Sequence, residues 1–129
     1  MVDLPPTTLE VFYSPICAPC RLELPVVAAF AAESGAHVRI VIVSDEARAR
    51  EELHAVSPQL EAAADVQTTL SVGAALRAAG NSDGILPYAR AVQSDGKVCA
   101  KWEGRLTLAK ARKLVAACAR TISRPLRQP

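Results

Sequence analysis

Leu9-Glu10-Val11-Phe12-Tyr13-Ser14-Pro15-Ile16-Cys17-Ala18-Pro19-Cys20-Arg21-Leu22-Glu23-Leu24-Pro25 is the stretch whose reading decides the fold. Its first five residues are rich in β-branched and aromatic side chains and are closed by Ser14-Pro15, which predicts a short strand. Beyond Cys20, the apolar Leu22, Leu24, Val26, Val27 and Phe30 stand among small and charged residues up to Gly35, a pattern that suits a helix. The junction puts Cys17 at a helix start, where unpaired N–H groups favour the thiolate, the form that attacks disulfides. Pro19 is compatible with a first helical turn, while Pro25 is expected to bend the helix about one turn later. In this geometry Cys17, nearer the tip, is the candidate attacking thiol, and Cys20, one turn inward, is the candidate resolving thiol.

A bare CxxC is also half of a zinc site, but His37, His54, Cys99 and Cys118 supply no second closely spaced pair. An inert structural disulfide is a further reading, although so short a loop would stabilise little. Two more stay open. Soft thiolates at Cys17 and Cys20 can hold Cu(I) for delivery, or the chain keeps its fold as a redox-inactive adaptor.

The 129 residues, 50% hydrophobic and 22% charged, suffice for one domain with a real core. A net charge of +2 with scattered basic residues, apart from Arg120 to Arg127, gives no footprint for nucleic acid. Aromatics at 4% leave no platform for stacking bases. No run approaches the roughly 18 apolar residues of a membrane span. The opening Met1-Val2-Asp3-Leu4-Pro5-Pro6 has neither a basic nor an apolar signal region and reads as a linker over 1–7.

Further along, His37 to Val43 is a β-branched run typical of central parallel strands. Ser44-Asp45 resembles an N-cap before a charged helix over Glu46 to Val56, which Pro58 ends. Leu60 to Ala79 reads as partly helical, with an extended break near Val66 to Thr69. Gly80 to Gly84 is a loop, and Ile85 to Val92 a strand. Ser94-Asp95-Gly96 signals a hairpin joining it to Lys97 to Glu103. Leu108, Ala111, Val115, Cys118 and Ile122 mark a closing helix over Thr107 to Thr121, with a tail over 123–129. Strict alternation puts Val98, Ala100 and Trp102 under that helix and points Cys99 away with Lys101 and Glu103, so no Cys99–Cys118 bridge is expected. Cys118 reads as a small buried hydrophobe. His37 and His54 show no partner at metal-ligand spacing.

Assembled over 8–122, this order resembles the thioredoxin fold: an α/β three-layer sandwich, its mixed sheet flanked by helices, with a helical insert before a cis-proline strand. The resemblance rests on Phe12 to Cys20, on Leu86-Pro87 before the hairpin, and on Asp95-Gly96-Lys97 followed by Glu103-Gly104. Cys17-Ala18-Pro19-Cys20-Arg21-Leu22-Glu23-Leu24-Pro25 is most similar to the TlpA-like extracytoplasmic reductases, with CxPC, a basic residue, then Glu and Pro. That resemblance implies a thiol–disulfide oxidoreductase without a cofactor, acting on disulfide-bearing or dithiol proteins and recharged by an upstream reductase. It implies a periplasmic monomer whose signal or anchor has been removed, the cytoplasm being the alternative. Cys17 and Cys20 would be catalytic and Glu23 would move protons for the resolving thiol. Pro87 would be a cis-proline facing the pair, with Leu86, Ala18 and Pro19 contacting substrate. Val11 and Ile16 stand where cytosolic thioredoxins carry an acidic residue and a tryptophan. Ala18-Pro19 lacks the histidine of strongly oxidising relatives, which implies a reducing poise, and Tyr88-Ala89-Arg90 replaces the usual Thr-Thr-Phe.

Overall fold

β1 spans Thr7–Tyr13, where β-branched and aromatic residues alternate between two buried faces. The computed structural model describes residues 6–67 and 69–123, with side chains in the last helix to residue 119; most of the expected linker, the side chains of the basic stretch and all but the first residue of the expected tail lie outside these. β1 opens at Thr7, the last residue read as linker.

The helix after β1 is interrupted as Pro25 requires. α1 covers Ala18–Leu22 and α2 covers Leu24–Ala31, with Glu23 at the joint. Proline offers no N–H, and its ring collides with the carbonyl four residues back, here that of Arg21. β2 follows at Val38–Ile42 and α3 at Glu46–Val56. Asp45 occupies the N-cap position of α3 but makes no side-chain cap. Its φ of 50° lies in the left-handed region, whereas a capping side chain reaches the helix N–H groups from extended backbone. Ser44 Oγ is also diverted, lying 2.5 Å from Ser14 Oγ.

Pro58 ends α3 and opens α4 (Pro58–Ala62). The extended break falls at β3 (Ala64–Val66), two residues ahead of the expected position, because pairing with β2 and not local propensity makes this short strand. α5 (Val72–Ala78), β4 (Tyr88–Gln93), β5 (Val98–Glu103) and α6 (Leu108–Ser123) complete the order.

The sheet runs β3-β2-β1-β4-β5, parallel from β3 to β1 and antiparallel from β1 to β5. Leu9, Val11 and Tyr13 face α2, α3 and α6, while Phe12 and Tyr88 face Ala75 and Leu76 of α5. Each such apolar burial contributes about 1.5–3 kcal/mol, so a one-residue slip of β1, which would turn Glu10 into the main core, is strongly disfavoured. In the observed register Glu10 lies opposite both Arg39 and Arg90, whose guanidinium groups reach its carboxylate at 2.9 and 2.7 Å.

The expectation for Cys99 is corrected. Cys99 and Cys118 form a disulfide, Cα atoms 5.0 Å apart, joining β5 to α6. The register explains why: Ala91 pairs with Ala100 but Val92 pairs with Val98, so Cys99 is the extra residue of a bulge. A bulge breaks the two-residue alternation, placing Cys99 with Ala100 and Trp102 against the main core and leaving Val98 exposed. The turn beyond is as expected, with Gly96 at φ +91° and Asp95 Oδ1 accepting from the Lys97 N–H at 2.9 Å.

Candidate active site

β1 delivers the chain to Ser14, whose carbonyl accepts the Cys17 N–H at 3.1 Å and whose Oγ accepts the Ile16 N–H at 3.3 Å. Arg21 donates a further hydrogen bond to the Pro15 carbonyl, so the turn is held from both sides. Cys17 then takes the N-cap of α1, its Sγ accepting the Cys20 N–H at 3.2 Å, with Pro19 in the first turn. Cys17 and Cys20 are joined as a disulfide, Cα atoms 5.2 Å apart. Their environments differ sharply. Cys17 is half-buried beside the exposed Ala18 and Pro19, whereas Cys20 is 1% exposed. An incoming sulfur can reach Cys17 and not Cys20, and a backbone N–H aimed at Cys17 Sγ favours its thiolate once the bond is opened.

Glu23 sits at the α1–α2 joint and is buried, with Oε2 accepting the Leu106 N–H at 2.7 Å. Burial pushes its carboxyl up to about 7, against the opposing pull of the Leu106 N–H and the Arg105 charge. A carboxyl in this range gains and loses a proton near neutrality.

The Leu86–Pro87 peptide is cis. Phe12 pairs with Tyr88 in antiparallel register, so the segments 14–17 and 86–87 leave the sheet at the same end. Gly104 N–H donates to the Pro87 carbonyl at 3.0 Å. A cleft of about 210 Å³ is lined by Asp83, Ile85, Leu86, Pro87, Glu103 and Gly104. Ile16 and Ile85, which flank Cys17 and Leu86 in the chain, are 70% and 65% exposed.

Sequence reasoning missed three parts of this end of the molecule. Tyr13 donates to Glu52, tying the end of β1 to α3, and burial holds its phenol above the ordinary range. Asp83 interacts with Glu103, and this neighbouring carboxyl holds the Glu103 carboxyl above its ordinary range. The β5–α6 loop reaches both Glu23 and Pro87. None has a local signal, since each partner lies far away in sequence. His54 pairs with Glu61 at 3.0 Å. Among the described residues no three His, Cys, Asp or Glu side chains gather as a metal site, and no helix is long and apolar enough to cross a membrane.

No family model matches the chain, and neither does any curated protein. Solved structures do. A thioredoxin-related protein from Neisseria meningitidis serogroup B is similar at 18% identity and TM-score 0.67, covering 89% of this chain and 87% of that one. An exposed lipoprotein thioredoxin of Streptococcus pneumoniae shares 18% identity at TM-score 0.63, over 85% and 83% of the two chains. A secreted disulfide oxidoreductase of Mycobacterium tuberculosis shares 16% identity at TM-score 0.58, over 88% and 80%. Sheet order, helical layers and these likenesses together show that the chain has the thioredoxin fold, with its CxxC pair closed as a disulfide.

Proposed function

We propose that the protein is a thiol–disulfide oxidoreductase that reduces disulfides in other proteins, in the manner of the TlpA-like reductases. The observation that carries this reading is the asymmetry of the pair: a reachable Cys17, a buried Cys20, and a buried carboxyl near neutrality at Glu23. In the reduced protein, the Cys17 thiolate attacks one sulfur of the substrate disulfide. A mixed disulfide forms and the other substrate sulfur leaves as a thiolate, which takes a proton. Cys20 then passes its proton to the Glu23 carboxylate and attacks Cys17 Sγ. The Cys17–Cys20 bond closes and the second substrate sulfur leaves as a thiolate, which takes the proton that Glu23 has received. Two electrons have moved from the protein to its substrate, and an upstream dithiol reductase returns them.

The main chain of Leu86, beside Pro87, offers an extended substrate segment a strand-like edge, with Ala18 and Pro19 lining the approach to Cys17. Extracytoplasmic placement is supported by the second disulfide, Cys99–Cys118, since such bonds persist in oxidising compartments. The likeness to an exposed lipoprotein and a secreted oxidoreductase points the same way. The protein acts as a monomer in this reading.

Trapping tests it. Cys20→Ser is expected to accumulate a mixed disulfide at Cys17 with a scrambled disulfide protein, visible on non-reducing gels, while Cys17→Ser accumulates none. Equal trapping by both variants, or by neither, contradicts the assignment.

A further inference from the structure

Trp102 reads in sequence as part of the apolar bed beneath α6, yet its indole is tied to the loop that holds Glu23. The indole Nε1–H donates to the Arg105 carbonyl at 3.0 Å. The N–H on the other side of that same peptide, that of Leu106, donates to Glu23 Oε2 at 2.7 Å. A peptide unit is planar and rigid, so anchoring its oxygen sets the direction of its N–H. The ring is itself held. Lys110 Nζ stands 4.1 Å from its centroid.

We propose that Trp102 is a positioning residue for Glu23, acting through the Arg105–Leu106 peptide; this rests on reading Glu23 as the proton carrier of the Cys17–Cys20 pair. A carbonyl that accepts a hydrogen bond polarises its peptide and makes the N–H a stronger donor. A donor aimed at a carboxylate favours the charged form, which opposes the burial of Glu23. The other charge that reaches Glu23 is that of Arg105, from the same loop; Cys20, three residues back on α1, is uncharged in the disulfide. Removing the indole N–H frees the peptide to turn, and Glu23 then holds its proton more tightly.

Trp102 is the only tryptophan, so replacing tryptophan throughout by benzothienylalanine, which exchanges N–H for sulfur in a ring of the same shape, alters this site alone. Trp102→Phe is the encoded counterpart, and Lys110→Met removes the cation while leaving both hydrogen bonds. The Glu23 carboxyl is titrated directly by carbon NMR in the oxidised protein, and the pH profile of disulfide reduction is measured alongside. The Glu23 midpoint is expected to rise by about 0.5–1 pH unit in the two indole replacements and to stay in place in Lys110→Met. An unmoved midpoint in the indole replacements, or the same rise in Lys110→Met, overturns the proposal. A raised midpoint with an unmoved rate profile upholds the positioning and removes Glu23 from the redox cycle, so the two failures are distinguishable.

Discussion

Glu23→Gln removes a buried charge while keeping an oxygen that can accept the Leu106 N–H. The native carboxyl titrates near 7 against an ordinary value of 4.5, chiefly because burial disfavours the carboxylate. At about 1.4 kcal/mol per pH unit, that displacement sets a ceiling of about 3 kcal/mol on what the ionised group costs the fold. The sign follows from proton binding. Between 4.5 and about 7 the native protein holds a proton that the unfolded chain has released, so stability falls as pH rises through this window and is level above it. Urea unfolding of the oxidised wild type and Glu23→Gln is therefore expected to give nearly equal stabilities near pH 4. Near pH 8 the variant should be more stable by about 2–3 kcal/mol. Parallel stability curves across the range would refute the reasoning, since they would mean that Glu23 ionises as an ordinary surface glutamate does. The stabilised variant should also resolve mixed disulfides more slowly, a cost that a merely structural glutamate would not carry.

Other perturbations follow from the same geometry. Cys99→Ser with Cys118→Ser opens a link spanning 19 residues and is expected to lower stability by about 3 kcal/mol in urea unfolding; a loss below about 1 kcal/mol would contradict the role of that bond as a staple. Glu10→Ala removes the shared partner of Arg39 and Arg90, but Arg39 is half-exposed and keeps Asp65 at 2.7 Å and Arg90 keeps the Ala79 carbonyl, so the loss should be about 1 kcal/mol, read as a lowered Tm, with no change in mixed-disulfide trapping by the Cys20→Ser background. Both tyrosines, Tyr13 and Tyr88, are buried with phenols held above the ordinary value of 10.0. Absorbance titration should therefore show no tyrosinate until the alkaline unfolding step, and a separate earlier phase would count against the packing described.

Local signals carried most of the architecture. The apolar run ending at Tyr13, the helix from Glu46 to Val56 and the Asp95-Gly96 turn were legible because backbone preference and burial agree there. The cis state of Leu86–Pro87 followed only from resemblance to a known fold, since X-Pro bonds are seldom cis. Cys99 misled because alternation assumes an unbroken ladder, and the extra residue between the Val98 and Ala100 pairings has no mark in the sequence. β3 was displaced because Ala64-Asp65-Val66 has little strand preference of its own and borrows its form from β2. At the site, Cys17 and Cys20 announced themselves by spacing. The partner that holds Glu23 did not, because the Leu106 amide lies 83 residues away and is brought there by the return of β5.

The reduction potential of the Cys17–Cys20 pair tests the central claim most directly, measured by equilibration in defined thiol–disulfide buffers with Cys99 and Cys118 replaced by Ser. A reductase is expected to poise near or below roughly −270 mV, as thioredoxin does. A value near roughly −120 mV, that of a strong oxidant, would contradict the account.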